Sequence, residues 1–212
     1  MARVAGVKEK LHMPLYDALY VPSDKRFADV VGSGNIIRFF VDVQGKTKLE
    51  TNLQASGVLP SQNTYEARAL RVVASPLPDR SGNTAGKTSD IGSASEFLEM
   101  IIYNSVTTLL VGEKIMIEMP TFWFPAGAGV FAYGNGSASH GAPDPTATFR
   151  FAEPVAIEPQ QNFRVEIQFP LGLPAGSIVD PTGEPPAKGL GDLKGPVRIW
   201  VILDGYLTRD VQ

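Results

Sequence analysis

Apolar and polar side chains alternate most regularly in residues 153–170, EPVAIEPQQNFRVEIQFP. Phe163, Val165, Ile167 and Phe169 are separated by Arg164, Glu166 and Gln168. Successive side chains of a strand point to opposite faces. One apolar row is therefore expected on a buried sheet face and one charged row toward solvent. Val155 and Ile157 alternate in the same way and are bracketed by Pro154 and Pro159. Proline cannot donate to a strand ladder, so both prolines mark strand ends or edges. The pattern predicts a short strand, a corner at residues 159–162, and a longer half-buried strand.

The same period recurs along the chain. Ile37, Phe39, Val41 and Val43 share one face of a strand beginning at Ile36, and Gly45-Lys46 predicts a tight turn into a strand over residues 47–53. In residues 65–74, Tyr65, Ala67 and Ala69 alternate with Glu66 and Arg68 before the parity slips at Leu70 and Val72. Such a slip predicts a bulge or burial on both faces. Residues 106–111 and 114–119 read as strands hinged at Gly112-Glu113, and residues 146–151 as another. The last, 197–207, is apolar on both faces at its centre, as an inner strand would be. One helix is predicted over residues 93–103, where Ser93 and Glu96 form a capping box and Phe97, Leu98 and Ile101 an apolar stripe. Polar loops fill 76–92, 125–145 and 171–195, and long loops of this kind tend to be functional or interfacial.

The sum is an all-β fold, a single jelly-roll β-sandwich of about eight strands with one short helix and long loops. Residues 1–35 show no clean strand and are expected to be an N-terminal arm, with the jelly-roll domain over 36–212. The arm packs on the domain, stays loose, or reaches a neighbouring subunit or a lipid surface.

Composition narrows the function. The 212 residues fit one large domain, and 43% hydrophobic residues suit a packed core. A net charge of −3 gives no global attraction to nucleic acid or anionic membrane. With no cysteine, disulfides, thiol catalysis and cysteine-ligated metals are excluded. The N-terminal residues lack the apolar run of a signal peptide, so synthesis in a cytoplasm is expected.

Candidate chemistry is sparse. Gly86-Lys87-Thr88 lacks the glycine that a phosphate-binding loop needs at position 81, where Ser81 stands. His12 and His140 are too far apart to suggest the histidine cluster of a cupin. A calcium site drawing on Asp79, Asp90, Asp144 or Asp180 needs no tight spacing and stays open. Glu113 with Glu118, or Glu153 with Glu158, could pair as acid and base, but strand alternation turns such carboxylates to solvent. Ser137 and Ser139 lie near His140 without a nucleophile elbow. No enzyme activity and no cofactor are expected. The aromatic run Phe122-Trp123-Phe124, with Phe131 and Tyr133 in the glycine-rich stretch beyond it, supplies the candidate interface residues. Stacking on sugar rings and burial in the core are the other readings of that run.

The phrase from Glu153 to Val165 resembles the penultimate strand of jelly-roll capsid proteins of tailless, icosahedral, membrane-containing bacteriophages. Residues 48–53 and 57–60 resemble the first strand pair of those proteins, and residues 197–207 their final hydrophobic strand. The length restricts the resemblance to the single jelly-roll branch, since two full sandwiches do not fit. It implies a capsid subunit that self-assembles into an icosahedral shell, resident in the virion after synthesis in the host cytoplasm. The implied partners are further copies of the chain in capsomer and shell, with room for a second capsid protein. It also implies contact of residues 1–35 with an internal lipid membrane, and no specific nucleic acid. A carbohydrate-binding β-sandwich and, behind it, a cupin-type enzyme are the rival expectations.

Overall fold

The computed structural model describes residues 8–75, 99–125, 148–174 and 189–210 in full, and the backbone of residues 76, 131–133 and 137–139. Eleven strands occur among the described residues: β1 (Lys8–His12), β2 (Leu15–Val21), β3 (Ile36–Phe39), β4 (Thr64–Pro76), β5 (Val106–Val111), β6 (Lys114–Pro120), β7 (Phe131–Tyr133), β8 (Ser137–Ser139), β9 (Arg150–Ile157), β10 (Phe163–Gln168) and β11 (Val197–Asp210). A short helix, α1, spans Phe27–Val31.

The organising relation is a folded ribbon of antiparallel pairs. β2 pairs with β11, β3 with β10, β4 with β9 and β5 with β6. These pairs are distributed over two sheets, one ordered β1-β11-β4-β9 with β2 also on β11, the other ordered β3-β10-β5-β6. From β2 to β4 the chain crosses between sheets at each step, and again from β9 to β11. That winding is a jelly roll. β7 and β8 form a separate small hairpin.

Alternation explains the core. β10 buries Phe163, Val165 and Ile167, and β11 buries every second residue from Val197 to Leu207. Both are inner strands, flanked on each side. Phe169, Phe27, Phe39 and Tyr65 fill the space between the sheets. The Tyr65 hydroxyl donates to the Leu203 carbonyl at 2.7 Å, and burial raises its pKa well above the usual phenol range. Pro154 lies on β9, an edge strand of its sheet, where a missing N–H costs no ladder bond.

Three expectations are corrected. Residues 8–21 are not an arm without strands, because β1 and β2 lie end to end along one edge of β11. Leu15, Ala18 and Val21 are buried there, and Phe27 of α1 is fully buried. Their strand signal is hidden by the break at Met13-Pro14 and by Asp17, a charge on the buried side.

Residues 47–53 form turns rather than a strand, so the stretch likened to a first strand pair does not pair. Glu50 accepts bonds from the Thr47 amide at 2.9 Å and hydroxyl at 3.0 Å, and the Glu50 amide bonds back to the Thr47 carbonyl. Local side-chain bonding outcompetes the ladder. This segment instead covers β11, where the Trp200 indole donates to the Leu49 carbonyl at 3.1 Å.

The third correction concerns the helix count, since α1 was not foreseen. Helical backbone does occur at residues 99–102, within the predicted helix, whose capping box lies outside the described residues. Among the described residues no helix is long and apolar enough to cross a membrane.

Candidate functional site

Two surface features stand out, and both grow from irregularities in strands. The first follows β6, the edge of its sheet, which among the described residues pairs on one side only. Pro120 ends the ladder, and the chain turns through a 3-10 helix, Thr121–Trp123. Thr121 anchors that turn from below. Its hydroxyl lies 2.7 Å from Ser105 Oγ and 2.8 Å from Thr107 Oγ1, all three side chains being buried. Its amide donates to the Ser105 carbonyl at 3.0 Å.

With Thr121 held inside, the next two side chains point out. Phe122 is 46% exposed and Trp123 52% exposed, beside Tyr103 at 67%. The rings stack in sequence, with Tyr103 and Phe122 centroids 6.3 Å apart and Phe122 and Trp123 5.7 Å apart, each pair inclined by 28°. The series continues edge-on from Trp123 to Phe149 at 6.4 Å and from Phe149 to Phe151 at 6.2 Å. Ile115 on β6 adds a further exposed apolar side chain.

Of the residues expected at an interface, Phe122 and Trp123 therefore lie on the surface. Phe124 does not. It is fully buried and packs edge-on against Phe149 at 5.2 Å, so it supports the patch from the core. Phe131 and Tyr133 lie on β7, and the placement of their side chains falls outside the described residues.

The second feature is a cleft of about 610 Å³ on the outer face of the β1-β11-β4-β9 sheet. The parity slip in β4 creates it. Ala69 pairs with Asp204 and Ala67 with Gly205, so Arg68 is an extra residue bulged out of the ladder. On the other side, β9 leaves β4 between Arg150, opposite Ala69, and Val155, opposite Ala67. The floor is made of Ala69 and Gly205, and the walls include Arg68, Arg71, Arg150, Asp204, Tyr206 and Phe151.

Arg71 is fixed by Asp204, with Nε 2.6 Å from Oδ2 and Nη2 2.9 Å from Oδ1. Glu66 accepts from Lys10 Nζ at 2.6 Å and from Arg68 Nε at 2.7 Å. The bonds from Lys10 and then Arg68 hold the Glu66 carboxyl below its ordinary pKa. Lys10 and Arg68 also lie 4.8 and 5.0 Å from the Tyr206 ring centroid, and the His12 ring is 5.5 Å away. None of these residues was singled out by the sequence except His12, as a lone histidine. The parity slip at Leu70 was the available signal.

For metal chemistry, no three His, Cys, Asp or Glu side chains come together among the described residues. Asp79, Asp90, Asp144, Asp180, His140 and the Gly86-Lys87-Thr88 stretch lie outside them. Ser137 and Ser139 are on β8, whose backbone alone is described. The carboxylates of Glu113, Glu118, Glu153 and Glu158 are on exposed positions. No protein-family model matches the chain, and no curated protein matches it in sequence.

Proposed function

We propose that the chain is a capsid subunit, a jelly-roll structural protein that self-assembles into an icosahedral shell. The observation carrying this reading is the exposed aromatic stack of Tyr103, Phe122 and Trp123, continuous with the edge of β6, which pairs on one side only among the described residues. A contiguous exposed apolar surface marks an interaction site, and an open strand edge invites pairing with another chain. Stacked aromatics are typical of the buried anchors of interfaces. The occupant proposed is a second copy of this chain, so that turnover plays no part and association is the function.

The same winding supports lectins and cupins, so the fold alone does not select among them. The test is light scattering with electron microscopy of one purified sample. Uniform shells, or multimers that grow with concentration, are expected. Trp123→Ala combined with Phe122→Ala should weaken association on the order of 30-fold while leaving the fold unchanged. A strict monomer that binds glycans on an array, with binding lost in Trp123→Ala, would replace the capsid reading with a carbohydrate-binding one.

A further inference from the structure

We propose that the bulge cleft on the outer face of the β1-β11-β4-β9 sheet binds a small organic oxyanion, a carboxylate or sulfate carried on a ring. Three observations converge on it.

The first is shape. Ala69 sits between Asp204 on β11 and Arg150 on β9 in one row across the sheet. A side chain that ends at Cβ leaves a hollow among long neighbours. The resulting volume of about 610 Å³ suits a small molecule.

The second is charge. Among the described residues, Lys10, Arg68, Arg71 and Arg150 bring four cations to this region, and Glu66 and Asp204 bring two carboxylates. Lys10 and Arg68 share the single carboxylate of Glu66, which leaves positive charge there on a chain whose net charge is −3. Guanidinium groups present planar forks that match carboxylate and sulfate oxygens. The overall negative charge offers no long-range field for a polyanion, which favours a small ligand over nucleic acid.

The third is preorganisation. Asp204 holds Arg71 by two contacts, and Glu66 with the Tyr206 ring holds Arg68. Anchored cations lose little freedom when an anion arrives. Phe151 on the far wall offers an apolar face to the ring that carries the charge.

Titration calorimetry at low ionic strength, with glucuronate, inorganic sulfate and neutral glucose as probes, tests the assignment on the full chain. Glucuronate is expected to bind one-to-one and sulfate more weakly, with no heat from glucose. Arg150→Gln and Arg68→Gln should each weaken glucuronate at least ~10-fold, while Arg38→Gln on the other sheet leaves it unchanged. Thermal melts of each variant check that it is folded. The comparison of probes on the unaltered protein holds even where a variant is not. No saturable binding of either anion overturns the proposal, and so does equal binding of glucuronate and glucose, or an affinity in both cleft variants equal to that of the parent. Sulfate binding without glucuronate binding overturns the ring-bearing ligand.

Discussion

Lys46 Nζ lies 2.8 and 2.9 Å from the two carboxylate oxygens of Asp17, whose side chain is fully buried on β2. One of those oxygens also accepts the Phe40 amide at 2.7 Å. Phe40 has a φ of 69°, a left-handed conformation that is costly for a bulky residue. Its ring is buried against Phe163 at 5.3 Å. The carboxylate thus ties the start of the sandwich to the segment that ends β3, and it stabilises the unusual backbone there.

Removing one partner of a buried ion pair leaves the other uncompensated, at a cost of about 3–5 kcal/mol. Asp17→Ala should destabilise by roughly that amount, since it strands the Phe40 amide as well. Asp17→Asn, which keeps an acceptor for that amide, should lose less. Urea unfolding of the three proteins checks the order. Equal stabilities for Asp17→Ala and the parent would remove the proposed tie.

A second prediction concerns Gly205. A Cβ placed there would lie 2.1 Å from the Glu66 carbonyl oxygen and 3.0 Å from the Ala67 Cα. Both atoms are backbone in a paired strand, so neither can move without breaking the ladder at the bulge. Gly205→Ala should destabilise by about 3 kcal/mol or more, read as a fall in the urea midpoint. The cleft should distort with it. A melt indistinguishable from the parent would mean that β4 and β11 are not held this closely.

Much of this architecture could be read from side-chain period alone. β10 alternates without interruption and its inner positions follow directly, whereas β11 is apolar on both faces at its centre and its buried row is set by its place between neighbouring strands. The strand pair β5–β6 was marked by Gly112, which has a φ of 59° at the turn. β1 and β2 were hidden because a proline-containing break splits them and a charge occupies a buried site, which the tertiary partners Lys46 and the Phe40 amide make tolerable. Residues 47–53 alternate plausibly, yet Glu50 caps a local turn. The aromatic run at 122–124 was visible as composition. Which rings face outward depends on the hydroxyl anchor of Thr121, a contact between residues 14 to 16 positions apart. The basic cleft needs three strands in register and was legible only as a parity slip.

That hydroxyl cluster makes its own prediction. Ser105 Oγ also lies 2.6 Å from the Ile101 carbonyl, so the group links the helical turn before β5 to the turn after β6. Thr121→Val keeps the shape but removes the hydroxyl partner of buried Thr107 and one of the two partners of Ser105. It should cost about 1–3 kcal/mol and loosen Phe122 and Trp123. Tryptophan fluorescence should shift toward the solvent-exposed range in a protein carrying Trp200→Phe, where Trp123 is the sole reporter. An unchanged spectrum and melt would show that the turn is set by its backbone alone.

The last prediction is the acid response of β1. Lys10 reaches over Tyr206 of the central strand to Glu66, so one carboxylate bridges β1 to β4. The bonds from Lys10 and Arg68 place the folded pKa of Glu66 below its ordinary 4.5. A depressed carboxylate contributes stability that is complete above the unfolded value and is lost as pH falls through the folded one. Solvent reaches this group, which keeps the effect local rather than global. Carbon-detected NMR titration should place the Glu66 inflection below 4.5, and Lys10→Gln should move it upward. As pH drops through that inflection, β1 amide resonances should broaden before those of β4 and β11. An inflection that Lys10→Gln leaves in place would mean Arg68 alone holds the carboxylate, and β1 would then show no special sensitivity to acid.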